Sequence, residues 1–396
     1  MNPFKHIAHA VLTDVGNKRK NNEDAYAVSP GHGFFCVADG MGGAEDGEVA
    51  SGAVVERLNA LFGGETSEIP EKGAAGRPSL PGCFDPEHPL SIRAKTAWID
   101  SSLSDISSWI YQRSKERGKS GSGTTFVGVA FDPAAPSSAV ALHAGDSRVY
   151  HWCARESRLS LVTLDHSVAN AVGISDERQL NPAFRNMLMR AVGLGPSVQV
   201  EHTLFQVAPG DWVAVCSDGL SKMIEDDEIG KLLSSAPDPD AAVRALVGAA
   251  LKAGGKDNVT VVVVLVGELP EPVAEADLNT EMPALVASGP TDTQTPTADT
   301  GTGATPDAQE EGRGGSLPPF REYVPRRGVQ FRGIWLVIWA LCFLLAVLIF
   351  AGVANLLVPE KAPEPTTTLP PDVRESPEYE RLRLQAERHG NDGMRE

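Results

Sequence analysis

Three apolar runs in this chain meet an aspartate where the run stops or starts, and no other feature constrains its fold as much. The run "FFCVADGMGG", Phe34 to Gly43, passes through Phe35, Cys36 and Val37 and then breaks at Asp39, followed by Gly-Met-Gly-Gly. "DWVAVCSDGL" ends at Asp218-Gly219, and "KDNVTVVVV" begins at Asp257-Asn258. Runs rich in β-branched and aromatic residues and bounded by Gly and Asp read as strands. One such aspartate is as readily a turn residue or a helix cap. Recurrence weakens that reading, because in an antiparallel sheet the end of one strand lies beside the start of its neighbour. The three carboxylates can then meet at one rim.

"RKNNEDAY" adds Glu23 and Asp24 to this set, with Arg19 just upstream. Carboxylates gathered in one place repel one another unless cations sit between them. Hard oxygen ligands without His or Cys favour Mg²⁺ or Mn²⁺ over zinc. Two such ions about 3.5–4 Å apart can share a water, lower its pKa and align it for in-line attack on phosphorus. An arginine beside them would bind phosphate oxygens in bidentate fashion.

The surrounding sequence fits one large globular part, from about Lys5 to Gly267, in a chain of 396 residues. Strands are predicted in "GFFCVAD", "TTFVGVAF", "AVALHAGDSRVYHW", "WVAVCSD" and "NVTVVVVLVG". Apolar residues recurring every three to four positions predict helices in "GEVASGAVVERLNALF", "SIRAKTAWIDSSLSDISSWIYQRSKE", "NPAFRNMLMRAVG" and "DPDAAVRALVGAALKAG". Their uneven alternation, and a hairpin around the Pro-rich turn after Phe131, favour a largely antiparallel sheet covered by helices. Gly63 to His88 is rich in Gly, Pro and charge, and reads as a surface loop.

After Gly267 the composition changes. Residues 268–332 are dominated by Pro, Thr, Asp, Glu and Gly and are expected to form a disordered linker. The 25 residues from Ile334 to Val358 then carry no formal charge, and about 20 suffice to cross a bilayer as a helix. A transmembrane helix is therefore expected over 333–358. Arg326, Arg327 and Arg332 precede it, which places the globular part in the cytoplasm and the polar tail, 359–396, on the other side. The N-terminus shows no signal-peptide pattern.

A formal net charge of −17 argues against nucleic acid as a partner. The five cysteines are scattered without a C-x-x-C pair, and Cys36 and Cys216 read as buried thiols in a reducing compartment. His143 and His166 read as structural histidines.

In order along the chain, "TDVGNKRKNNEDAY", "VADGMGG" with "GEVAS" behind it, "SGTTFVGVAF", "HAGDSRVY", "LDHS", "PGDWVAVCSDGL" and "KDNVTVVVV" resemble the motifs of the metal-dependent protein phosphatases, the type 2C Ser/Thr enzymes. The match runs from about Ile7 to Val266. It implies an α+β fold, a four-layer αββα sandwich of two antiparallel sheets flanked by helices, with two Mn²⁺ or Mg²⁺ ions at one edge. By position, the resemblance makes Asp39 the carboxylate bridging both ions and Gly40 the donor of a backbone carbonyl to one of them. Asp218 and Asp257 become ligands of the other, Glu23 and Asp24 hold metal-associated waters, and Arg19 binds phosphate. Asp146, Arg148 and Asn258 support the site, and the region from Asn170 to Arg190 is a variable flap that influences substrate choice.

Two departures from the family pattern bear on chemistry. Met41 stands where many members carry a histidine proposed as the general acid, leaving that role to water. Ser120 stands where some members place an aspartate for a third ion, so two ions are expected and not three. The expected activity is that of a membrane-anchored phosphatase acting on phosphoserine and phosphothreonine in proteins, membrane-bound kinases and their targets among them. A phosphatase-like sensor or adaptor is the alternative, but such proteins usually lose metal ligands. A two-metal nuclease fits the carboxylates but neither the charge nor the motif order.

Overall fold

The structure is a computed structural model that describes residues 2–68, 82–118, 121–173, 181, 187–283 and 321–322. The chain divides into two compact units, residues 1–323 and 324–396. All described residues belong to the first, so the expected transmembrane segment and tail lie outside them. Among the described residues no helix is long and apolar enough to cross a membrane.

The strands are β1 (Ile7–Asp14), β2 (Asp24–Ser29), β3 (Phe34–Met41), β4 (Glu65–Thr66), β5 (Gly123–Thr124), β6 (Phe126–Phe131), β7 (Ser138–Ala144), β8 (Arg148–Cys153), β9 (Arg158–Leu161), β10 (Glu201–Gln206), β11 (Trp212–Cys216), β12 (Val259–Val266) and β13 (Arg321–Glu322). The helices are α1 (Ala44–Phe62), α2 (Ile92–Glu116), α3 (Val168–Ala171), α4 (Asp218–Ser221), α5 (Asp226–Ser235) and α6 (Pro239–Lys252). One sheet runs β1-β12-β11-β8-β9 and the other β13-β10-β7-β6-β3-β2-β4, with β5 added to β3. All pairings are antiparallel except β10 with β13.

Alternation along the strands explains the layering. In β3, Phe34, Cys36 and Ala38 face α1 and α2, where they join Val54, Leu58 and Leu103. Phe35 and Val37 face the second sheet and pack with Val213, Val215, Val262 and Val264. On that sheet's far side Ala214, Cys216, Val261 and Val263 meet Ile229, Leu233, Leu246 and Val247 of α5 and α6. Both sheets are thus covered on both faces, which is why their central strands read as continuous apolar runs. Cys36 and Cys216 are buried within them, and burial pushes both thiols up to about 12.

Several elements differ from the sequence expectation. "AVALHAGDSRVYHW" is two strands, not one: β7 lies in the larger sheet and β8 in the smaller, and the chain changes sheet at Gly145. Gly145 has φ 133°, and a Cβ there would sit 2.7 Å from Thr125. β3 does not stop at Asp39 but continues to Met41, paired with β5. The predicted helix over "NPAFRNMLMRAVG" is not formed in its described part: Leu188 pairs with Ser167 and Val192 with Thr124. Nor does ordered packing end at Gly267. Ser91 N–H donates to Asn279 O at 2.9 Å, Asn279 N–H to Pro89 O at 3.0 Å, and Trp98 Nε1–H to Glu281 O at 3.1 Å.

Candidate metal centre

The carboxylates arrive from both sheets. In the larger sheet β2 and β3 pair in a register that sets Asp24 opposite Asp39. In the smaller sheet Cys216 pairs with Val261, so the residues just after β11 and just before β12, Asp218 and Asp257, emerge side by side. Ser217 joins the two sheets: its N–H donates to Thr260 O at 3.0 Å and its Oγ donates to Asp24 Oδ2 at 2.7 Å. Asp218, the first residue of α4, and Asp257, two residues before β12, therefore lie at the same edge of one sheet, whereas Asp39 joins them from the other.

Backbone contacts fix each position. Asp39 N–H donates to Thr125 Oγ1 at 3.0 Å, and Asp39 O accepts from Thr125 N–H at 2.8 Å and from Thr124 Oγ1 at 2.9 Å. Gly40 N–H donates to Glu23 O at 3.1 Å; a Cβ on Gly40 would lie 2.3 Å from Gly47 O and 2.7 Å from Glu23 O. The absence of a side chain is what allows β3, α1 and the start of β2 to approach so closely. Gly42 and Gly43, at φ 111° and 92°, then turn the chain into α1. Asn258 ties the N-terminal loop to β12: Oδ1 accepts from Glu23 N–H at 2.9 Å, while Nδ2 donates to Val15 O and Asn21 O at 3.0 and 2.9 Å.

The electrostatics are those of crowded, uncompensated acids. Burial raises the Asp24 carboxyl to about 7, partly offset by the Ser217 and Thr260 hydroxyls, with Asp218 and Asp257 adding to the rise. Asp39 keeps an opening to solvent, but the protein around it and then Asp24, Asp218, Asp146 and Asp257 hold its pKa well above the usual carboxylate range. Glu23 is raised by burial and by Asp257 and Glu48, against the pull of Arg19. Oδ1 of Asp24 and Oδ1 of Asp218 are buried with no hydrogen-bond donor. Buried carboxylate oxygens without donors are costly, and an all-oxygen set of this kind suits hard divalent cations such as Mn²⁺ or Mg²⁺. The residues present therefore fit such ions.

Two basic side chains flank the cluster. Arg19 Nη2 donates to Asp257 Oδ2 at 2.7 Å, whose Oδ1 accepts from Asn258 N–H at 2.9 Å. Lys222 Nζ donates to Asp218 Oδ2 at 2.5 Å and to Asp146 Oδ2 at 3.0 Å. Burial works against the Lys222 charge, but Asp218 and Asp146 outweigh it and hold its pKa above the ordinary lysine value. Lys222 is absent from the sequence-predicted set. Its only sequence signal is a position four residues after Asp218, on the same face of a helical turn.

The remaining predicted residues stand back from the acids. Arg148 grips Asp165 through Nε and Nη2 at 2.9 and 2.7 Å and donates to Tyr150 OH at 2.9 Å. Asn170 Nδ2 donates to Asp165 O at 2.7 Å. His166 O accepts from Met189 N–H at 2.7 Å, which closes the base of the predicted flap; residues 174–180 and 182–186 of that flap lie outside the described set. Arg190 approaches Glu201 at 3.8 Å. His143 and His166 stack at 4.3 Å. His143 Nε2–H donates to Leu164 O at 2.8 Å, and His166 Nδ1 accepts from Gly145 N–H at 3.2 Å. His166 Nε2 lies 3.3 Å from Glu201 Oε2 and 3.4 Å from Arg190 Nη1. His143, His166 and Glu201 lie close enough to one another to hold a metal, with the Arg190 guanidinium 3.8 Å from Glu201 beside them.

A family model described as protein phosphatase 2C matches residues 17–250. The chain is 29% identical over 260 residues to the serine/threonine phosphatase stp of Listeria monocytogenes, covering 64% of this chain and 93% of that protein. Among solved structures it resembles PppA of Pseudomonas aeruginosa, a regulatory component of that organism's T6SS, with TM-score 0.53 and 32% identity over 65% of this chain and 97% of the other. It also resembles the catalytic domain of the serine/threonine phosphatase PstP in complex with two manganese ions, with TM-score 0.50 and 30% identity over 66% and 99%.

Proposed function

Since this chain belongs to the protein phosphatase 2C family and is a metal-dependent serine/threonine phosphatase, we propose that Asp39, Gly40, Asp218 and Asp257 hold its two Mn²⁺ or Mg²⁺ ions, with Glu23 and Asp24 on the waters around them. When bound, the ions supply the Lewis acidity that activates water for in-line attack on phosphorus. The chain's own groups do the rest. Arg19 releases Asp257 and pairs with two phosphate oxygens, fixing the phosphoryl group against the acids. As the phosphorus–oxygen bond to the seryl or threonyl side chain breaks, the leaving oxygen takes its proton from water, because Met41 has none to give.

The observation that best supports this reading is the pair of buried, donorless oxygens, Oδ1 of Asp24 and Oδ1 of Asp218, beside Asp39. Turnover of a phosphothreonine peptide by the full chain should require Mn²⁺ or Mg²⁺ and be abolished in Asp39→Asn. Metal-independent turnover, or an unaffected Asp39→Asn, would refute it. The same test disposes of the sensor alternative, which requires no turnover at all.

Anchoring belongs to the same proposal. The uncharged stretch from Ile334 to Val358, preceded by Arg326, Arg327 and Arg332, supports a single span with the phosphatase domain in the cytoplasm and the tail, 359–396, outside it. A tether of this kind favours membrane-bound Ser/Thr kinases and their targets as substrates. Membrane fractionation of the full chain against a fragment ending at Pro283 tests it: equal partitioning into the soluble fraction would rule out the anchor.

A further inference from the structure

The metal centre carries a cation of its own. Lys222 follows α4 and donates its own N–H to Asp218 O at 2.8 Å, so its side chain returns along the helical turn to the carboxylate that begins it. Nζ then contacts Asp218 Oδ2 and Asp146 Oδ2 together. The two oxygens of Asp218 are thereby given different surroundings: Oδ2 faces the ammonium, while Oδ1 is buried and has no donor. Asp146 stands at the sheet change after β7 and adds to the negative field felt by Asp39. Arg19 is a cation of another kind, since it holds a single carboxylate and has the phosphate to bind.

We infer that Lys222 is a positioning residue that acts as a tethered cation: it occupies the Asp146 side of the cluster, turns Asp218 so that only Oδ1 faces the divalent ions, and keeps Asp146 out of their coordination. This rests on the metal-centre reading above. The ammonium lowers the negative potential that the ions experience, because a fixed like charge a few ångströms away opposes cation binding. Its cost in affinity is offset by definition of the site, since an Asp218 free to use both oxygens, beside an uncompensated Asp146, would offer divalent ions further modes of binding.

The test is Mn²⁺ binding by the full chain, followed through the electron paramagnetic resonance of free Mn²⁺. Lys222→Met keeps the apolar stem and removes the charge; it should bind Mn²⁺ about tenfold more tightly than the wild type. Lys222→Arg, which keeps the charge, should stay within twofold. The double variant Lys222→Met with Asp146→Asn should return toward wild-type affinity, because the carboxylate exposed by the first change is neutralised by the second. Circular dichroism in EDTA confirms that each variant is folded, and Lys222→Gln stands in for Lys222→Met if that variant is not. Unchanged or weaker Mn²⁺ binding in the folded, uncharged variant would overturn the inference. Failure of the wild type itself to bind Mn²⁺ would instead overturn the metal-centre reading on which it rests.

Discussion

Replacing Asp39 with asparagine should make the metal-free protein more stable and the metal-loaded protein inactive. The carboxylate is held above its ordinary pKa by burial and by Asp24, Asp218, Asp146 and Asp257. The sign follows from proton counting: above an unfolded-state pKa of 3.8 the unfolded chain releases a proton that the fold retains, so stability falls as pH rises. The scale comes from Asp24, whose carboxyl is raised from 3.8 to about 7. At about 1.4 kcal/mol per unit, that corresponds to roughly 4 kcal/mol for a carboxyl ionised in place. Burial is the first cause of the rise at both positions and an asparagine stays buried, so removing the charge returns only part of this, on the order of 2 kcal/mol. For a domain of this size each kcal/mol moves Tm by about 2–4 °C, so Asp39→Asn should melt roughly 4–8 °C higher than wild type in EDTA near pH 8. The gap should narrow near pH 5. Mn²⁺ at a hundredfold excess over its Kd should stabilise the wild type by about 2.7 kcal/mol and the variant by little. Thermal melts with and without Mn²⁺ at both pH values provide the assay. A variant that melts lower than wild type in EDTA at the higher pH, yet gains as much from Mn²⁺, would refute the idea that these acids are crowded for the sake of a cation.

Three further outcomes follow from the same geometry. A Cβ at Gly219 would fall 1.9 Å from Asn258 O, so Gly219→Ala should cost about 1–3 kcal/mol in denaturant titration and weaken Mn²⁺ binding as Asp218 is forced away from Asp257. A fragment ending at Gly267 should melt several degrees below one ending at Pro283, because it lacks the partners of Ser91 and Trp98 in residues 279–281, at about 1 kcal/mol per hydrogen bond. His166 is lowered from 6.5 to about 4, by burial first and by His143 second, against the pull of Glu201. Being neutral in the fold, it contributes stability that is complete above pH 6.5 and is lost as pH falls toward about 4, so His166→Gln should show a flatter decline of Tm across that window.

The acid cluster was legible because strand patterning and chemistry coincide there. Asp39, Asp218 and Asp257 each border an apolar run whose other residues have to be buried, so the direction of the strand also determines where the carboxylate is delivered. What could not be read was which sheet each strand joins. "AVALHAGDSRVYHW" is apolar on both sides of Gly145, and a strand that changes sheet there has the same composition as one that continues. β10, "EHTLFQ", escaped notice because its side chains alternate little in polarity. In "NPAFRNMLMRAVG" the helical spacing of apolar residues competes with tertiary pairing, and at Leu188 and Val192 the pairing prevails. Likewise, residues 275–281 have too few large apolar groups to look ordered; backbone hydrogen bonds to the segment before α2 hold them.

Lys222 was the least legible residue of the site, for a physical reason that also bears on how the site works. A lysine four positions after an aspartate on a helical turn normally reads as a solvent-exposed pair worth a few tenths of a kcal/mol. Here the side chain remains 40% exposed while its partners, Asp146 and Asp218, are only 13% and 14% exposed, so the charge lies at the boundary between water and the acid cluster. From that position it compensates the acids without being trapped among them. Arg19 occupies the corresponding boundary at Asp257, with side-chain exposures of 48% and 37% for the pair. The fold thus holds its carboxylates in place with two cations of different duty: Lys222 spans Asp218 and Asp146, whereas Arg19 holds Asp257 alone.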